Sequence, residues 1–152
     1  MEMKKYIIVI LVVLTTILVG CSNRTNAEQE LFDLQGTLVG DASSVSRILR
    51  ELGAAGRFSL STDESPYGIN LDNSSITSDD YLEIAVFLFT LIPNLDWARY
   101  QAAPNEIIIN RSDVTAFLGR DLDFENEAEL RDFIQEHIDT HGVPNFMISE
   151  EN

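Results

Sequence analysis

Residues Leu82–Ile92 read LEIAVFLFTLI and run straight into Pro93. A proline cannot continue a helix, because it lacks the N–H and its ring clashes with the preceding turn. The stretch before it carries one charge, Glu83, and is otherwise apolar nearly all round. Such a helix cannot lie on a surface with one face in water, so the rest of the chain has to wrap it. With 152 residues, 45% of them hydrophobic, there is material for one enclosing domain.

The wrapping elements can be read from their patterns. "GDASSVSRILRELG" has Asp41 or Ser43 as cap, Val45, Ile48, Leu49 and Leu52 at helical spacing, and Gly53 as stop. Leu31–Val39 ends in "LQGTLV" and reads as a short strand. Phe58–Thr62 and Tyr67–Asp72 alternate around "DESPYG", a hairpin with a proline-containing turn. Thr77 and Asp80 have capping-box-like spacing before the apolar helix. Leu95–Tyr100 and Glu106–Asn110 form a second hairpin turned at "QAAPN". Ser112 caps a short helix to Leu118, and Asn126…Glu129 opens a last one with Leu130, Phe133, Ile134 and Ile138 on one face and Gly142 at its end. The expected fold is α+β: an antiparallel sheet of two hairpins, with a possible N-terminal strand and three to four helices mainly on one face.

The N-terminus reads differently. Lys4–Lys5 is followed by Tyr6–Val19, apolar except for Thr15 and Thr16. Fourteen residues at about 1.5 Å each give roughly 21 Å, short of a ~30 Å hydrocarbon core, so a signal peptide fits better than a permanent span. It ends in Leu18-Val19-Gly20-Cys21, which resembles the bacterial lipobox. The resemblance implies a diacylglyceryl thioether on the Cys21 sulfur and cleavage before Cys21. Two or more acyl chains anchor a protein stably where one does not. The expected organisation is therefore a signal peptide over 1–20, a flexible tether over 21–30, a single domain over 31–142 and a tail over 143–152. The domain is placed at the outer face of the cell membrane.

Charge narrows the partners. Losing the first 20 residues removes both lysines and Glu2, leaving eight arginines against 24 acids. A surface so acidic is repelled by nucleic acid and by anionic headgroups. Arginine keeps its charge at any physiological pH, which would suit a saline or alkaline exterior.

Several stretches suggest chemistry. "GTLVGDASS" places Gly36 and Gly40 near a helix start, but a phosphate loop needs a lysine, and Asp41 puts a negative charge where phosphate would sit. Capping by Asp41 explains the stretch without a ligand. "HIDTH" sets His137 and His141 at i and i+4, able to share an ion; a zinc peptidase would need Glu where Ile138 stands. A histidine near a helix C-terminus is also favoured by the macrodipole alone. Asp121, Asp123, Glu125, Glu127, Glu129 and Asp132 follow the rhythm of a calcium loop, but Asn126 replaces its glycine and Asp132 its bidentate glutamate. With Cys21 committed to lipid and no G-x-S-x-G elbow, no nucleophile is indicated.

Three further segments carry a resemblance: Gly36-Thr37-Leu38-Val39-Gly40-Asp41 with Val45, Pro66-Tyr67-Gly68-Ile69, and Phe87–Ile92 with Asn94-Leu95-Asp96. In order and spacing, over roughly Leu31 to Leu118, they resemble a domain-of-unknown-function family of small Gram-positive lipoproteins. That domain is also appended to membrane metallopeptidase sensors of the antibiotic-response type. Leu38 stands where an aromatic is expected, and Ala42 where asparagine is common. The resemblance implies an extracytoplasmic lipoprotein without catalytic residues and with no cofactor beyond the lipid. The expected function is a non-enzymatic binding or sensory accessory domain with an envelope protein partner. The alternative is a calcium or zinc module, or a hydrolase of the cell envelope, using His137, His141, Asp121, Asp123, Glu125 and Asp132.

Overall fold

A computed structural model of the chain describes residues 31–72, 76, 78–102 and 105–145. The expected signal peptide, Cys21, the expected tether, Thr77 and the C-terminal seven residues lie outside the described residues. The element order is α1 (Ala42–Glu51), β1 (Arg57–Ser61), β2 (Gly68–Asp72), α2 (Ser78–Leu91), β3 (Trp97–Ala102), β4 (Asn105–Asn110), α3 (Arg111–Leu118) and α4 (Glu127–His141). This is an α+β fold on a four-stranded open sheet in the order β1-β2-β3-β4.

Both expected hairpins form. β1 pairs antiparallel with β2, Leu60 facing Ile69, and β3 pairs antiparallel with β4, Ala98 facing Ile109. The joint between them is parallel, with Ile69 opposite Ala98 and Leu71 opposite Tyr100, so the sheet is mixed. The reason is α2. A parallel pair needs a crossover of a dozen or more residues, and the buried helix supplies it between β2 and β3.

Period-2 alternation sorts the sheet into two faces. Ile69, Leu71, Ala98, Tyr100 and Ile109 are buried on one side, with Phe58, Leu60 and Ile107 partly buried beside them. α2 covers this side. Tyr81 stacks on Tyr100 with ring centroids 4.4 Å apart, and the Tyr100 hydroxyl donates to the Tyr81 carbonyl at 3.1 Å. Burial pushes both phenols' pKa values upward, so they stay neutral. From Ile84 to Ile92 every residue of α2 and its end is buried. Thr90, the polar member, donates to the Val86 carbonyl at 2.8 Å. On the side away from the sheet α4 reaches α2 through Arg131, whose guanidinium pairs with Glu83 and with Glu127 and lies 4.7 Å from the Phe87 ring centre.

The helix ends follow their local chemistry. Asp41 caps α1, accepting from the Ser44 N–H at 3.1 Å and the Ser44 hydroxyl at 2.7 Å. These bonds hold its carboxyl below the usual range. Asn126 accepts from the Glu129 N–H, and Glu129 in return accepts from the Glu125 N–H, each at 2.9 Å. This is the reciprocal capping arrangement.

Two expectations are corrected. Leu31–Val39 is not a strand: the N–H groups of Leu34, Gln35 and Thr37 bond three residues back, and Gly36 turns through φ +88°. With Gly36 in the left-handed region, its N–H bonds the Leu91 carbonyl at 3.0 Å instead of a neighbouring strand. Ser112 is not the cap of α3; Asn110 occupies that position, because the Arg111 N–H is drawn to the Asp96 carbonyl at 2.8 Å.

Candidate functional site

The three sequence segments that carry the resemblance meet at one end of the molecule, around the C-terminus of α2. The Val39 N–H donates to the Asn94 side-chain oxygen at 2.9 Å. The Tyr67 N–H donates to an Asp96 carboxylate oxygen at 2.7 Å, and the Asp96 N–H donates back to the Tyr67 carbonyl at 2.8 Å. Asn94 and Asp96 thus serve as brackets for backbone. A buried helix end must also satisfy its last carbonyls. Arg111 does so: Nη2 donates to the Phe89 and Ile92 carbonyls at 2.8 and 2.7 Å, and Nε to the Leu95 carbonyl at 2.8 Å. Burial lowers the pKa of this guanidinium while the nearby Asp96 charge opposes that shift. It remains a cation, favourably placed at a helix C-terminus.

The bracketed end positions Trp97 on the sheet face opposite the buried Ala98 and Tyr100. Its Nε1–H donates to the Pro66 carbonyl at 3.2 Å. Its six-membered ring lies across Gly68, where a Cβ would come within 1.9 Å of the ring carbons. Only glycine leaves that space, so Gly68 is required by the indole. The neighbouring side chains on the same face are polar or exposed. Arg99 follows two residues on, its guanidinium carbon 5.4 Å from the centre of the indole. In register with it stand Asn70 on β2 and Ile108 on β4, the latter 42% exposed. Asn70 donates to the Ser59 hydroxyl at 3.2 Å. Arg57, Ser59, Asn70, Asp72 and Gln101 line a shallow depression of about 400 Å³ next to this row.

Arg99 is not committed to backbone carbonyls as Arg111 is. Its Nε is buried without an acceptor, 3.5 Å from a Glu106 carboxylate oxygen but outside hydrogen-bond geometry. Its Nη atoms make no hydrogen bond to a described residue. A guanidinium carries five donors in a planar fork suited to carboxylates.

The histidines and acids singled out in the sequence go elsewhere. His137 Nε2 lies 2.8 Å from the Phe117 carbonyl and its ring sits edge-on to Phe117, joining α4 to α3. His141 stacks on His137 at 4.2 Å, with Nδ1 3.1 Å from the His137 carbonyl. Both rings are thereby held by backbone at the end of α4. Asp123 pairs with Arg120 at 3.0 Å, which lowers its pKa. Glu127 pairs with Arg131 and Glu129 caps, while Asp121, Glu125 and Asp132 are exposed. Among the described residues no three His, Cys, Asp or Glu side chains come together in a way that could hold a metal ion.

Residues 31–112, just over half of the chain, match the family model described as domain of unknown function (DUF4825). The chain belongs to this family. The matched span ends just past Arg111, so it encloses the three bracketed segments, Trp97, Arg99 and the arginine that closes α2; α4 with its histidines and acids lies beyond it. Comparison with curated proteins and with solved structures found no similar chain.

Sequence reasoning missed Arg111 and the Trp97–Gly68–Arg99 group. The available signal was strand alternation: Trp97 and Arg99 fall on the opposite side from Ala98 and Tyr100, which makes them a pair on the outer face.

Proposed function

We propose that this protein is a lipid-anchored extracytoplasmic lipoprotein of a Gram-positive cell envelope, and that its domain is a non-enzymatic binding or sensory accessory module. The observation that carries the reading is Leu18-Val19-Gly20-Cys21 at the end of a short apolar run preceded by Lys4–Lys5. The sulfur of Cys21 is the acceptor for the lipid, and the residues after it form a polar tether that sets the domain free of the membrane.

The binding role is supported by how three polar residues of the matched span are used. Asn94, Asp96 and Arg111 are committed to backbone groups rather than to attack or proton transfer. What they hold in place is a sheet face presenting Trp97, Arg99, Ile108 and Asn70. A rigid support under a few outward side chains is the arrangement of a recognition surface.

The test is made in a Gram-positive host fed a labelled fatty acid. Wild-type protein is expected to carry label, run as the cleaved form and sediment with membranes, whereas Cys21→Ala accumulates as unlabelled precursor. Equal labelling and processing of the two would contradict the anchor. Crosslinking of the anchored form is expected to recover an envelope partner, and Trp97→Ala is expected to lose it.

A further inference from the structure

We propose that the Trp97–Arg99 platform binds a peptide through a free carboxylate. The inference rests on the reading of the domain as a binding module and names the chemistry its open sheet face takes.

The charged end of the site comes first. Arg111, Arg120 and Arg131 each donate hydrogen bonds to protein acceptors. Among the described residues Arg99 donates none; Arg47, Arg50 and Arg57 donate none either, but Arg99 is held on both sides by Trp97 and Glu106, whereas the Arg57 side chain is almost fully exposed. The Nη edge of a positioned guanidinium is a bidentate carboxylate receptor. It sits in a chain whose formal net charge is −15. An anion is repelled by most of that surface, so a carboxylate is favoured where a cation held in place has donors to offer. Charge complementarity therefore selects the carboxylate.

The rest of the face suits a peptide. The Trp97 ring is fixed by Gly68 below and by the Pro66 carbonyl at its N–H, so ordering it on binding has little entropic cost. With Ile108 it offers an apolar surface for a side chain next to the carboxylate. Asn70, Ser59 and Gln101 line the adjoining depression with amide and hydroxyl groups that match peptide N–H and C=O. Glu106 lies beside Arg99 and repels an incoming anion, which limits affinity and supplies a diagnostic variant.

Trp97 is the only tryptophan of the chain, so its fluorescence reports directly on the platform. The probe is an acetylated alanyl-alanyl-leucine tripeptide, as free acid and as C-terminal amide, titrated into the full chain in detergent. The expected result is a saturable change with the acid and a much weaker one with the amide. Arg99→Gln is expected to weaken the acid at least about tenfold, the size of a lost charge-assisted hydrogen bond. Glu106→Gln is expected to tighten it several-fold, which a structural role for Glu106 would not produce. Equal response to acid and amide would overturn the carboxylate assignment while leaving a binding face. Arg99→Gln binding like the wild type, with its melting temperature intact, would overturn it as well. No response to either peptide would overturn the platform itself, and Cys21 labelling would still report separately on the anchor.

Discussion

Two arginines twelve positions apart show how one side chain serves two ends. Arg99 lies on β3 and Arg111 directly after β4, and both have an aromatic ring within 5.4 Å and an acid nearby. Arg111 donates to the carbonyls of Phe89, Ile92 and Leu95, and so closes the end of the buried helix. Arg99 donates to none and faces outward. The difference comes from where the backbone leaves unsatisfied groups. The C-terminus of α2 is buried and exposes orphan carbonyls to whatever packs against it, whereas the outer sheet face has its ladder bonds complete on β3 and offers a guanidinium no backbone acceptor. One arginine closes the fold, and the other stands on the outer face between Trp97 and Glu106.

The largest effect expected from breaking this contrast is at Arg111. Arg111→Met keeps much of the apolar stem but removes the guanidinium donor from the Phe89, Ile92 and Leu95 carbonyls, of which Ile92 keeps the Leu95 N–H. It should destabilise the domain by about 3 kcal/mol or more, read by urea denaturation. Gly68→Ala attacks the other side by placing a methyl where the indole lies. Overpacking there should cost about 2 kcal/mol, with a red-shifted Trp97 emission as the ring is lifted into water. Arg99→Gln should fall within about 0.5 kcal/mol of wild type, since it removes no satisfied hydrogen bond.

The smallest effect is confined to low pH. Asp41 caps α1 as a carboxylate with its folded pKa held below the ordinary 3.8, so its contribution is complete above that value. It is lost as pH falls through the folded pKa, because the unfolded state takes up the proton first. Asp41→Asn caps comparably without titrating. The variant should therefore match wild type near neutrality and show a flatter decline in melting temperature below pH about 4.

Much of this architecture is legible in the sequence. Val45, Ile48 and Leu49 mark α1, Leu130 and Ile134 mark α4, and the alternation in Phe58–Thr62 marks β1, because each pattern is local and repeats with the period of its element. The enclosure of α2 followed from its having no polar face. The parallel joint between β2 and β3 was not legible, since it depends on how α2 folds back rather than on either strand's sequence. Leu31–Val39 was misread because its apolar residues suggested a ladder, whereas its N–H groups go to local turns, to Leu91 and to Asn94. Arg111 left no trace because its partners are carbonyl oxygens, which every residue has. Of the candidate site, Trp97 and Gly68 are separated by 28 residues between them in sequence and met only through the β2–β3 register. The histidines and acids of α4 stood out because they are close in sequence, and in the fold their contacts are with backbone carbonyls, Arg120, Arg131 and a helix start.

The contrast between the two arginines is tested most directly by nitrogen-15 NMR of their side chains in the folded protein. Arg111 should show Nη rotation hindered by its bonds to Phe89 and Ile92 and an Nε–H protected from exchange. The Nη groups of Arg99 should rotate freely, and should slow when the free-acid tripeptide is added. Free Nη rotation at Arg111, or hindered Nη groups at Arg99 in the unliganded protein, would contradict this division of roles.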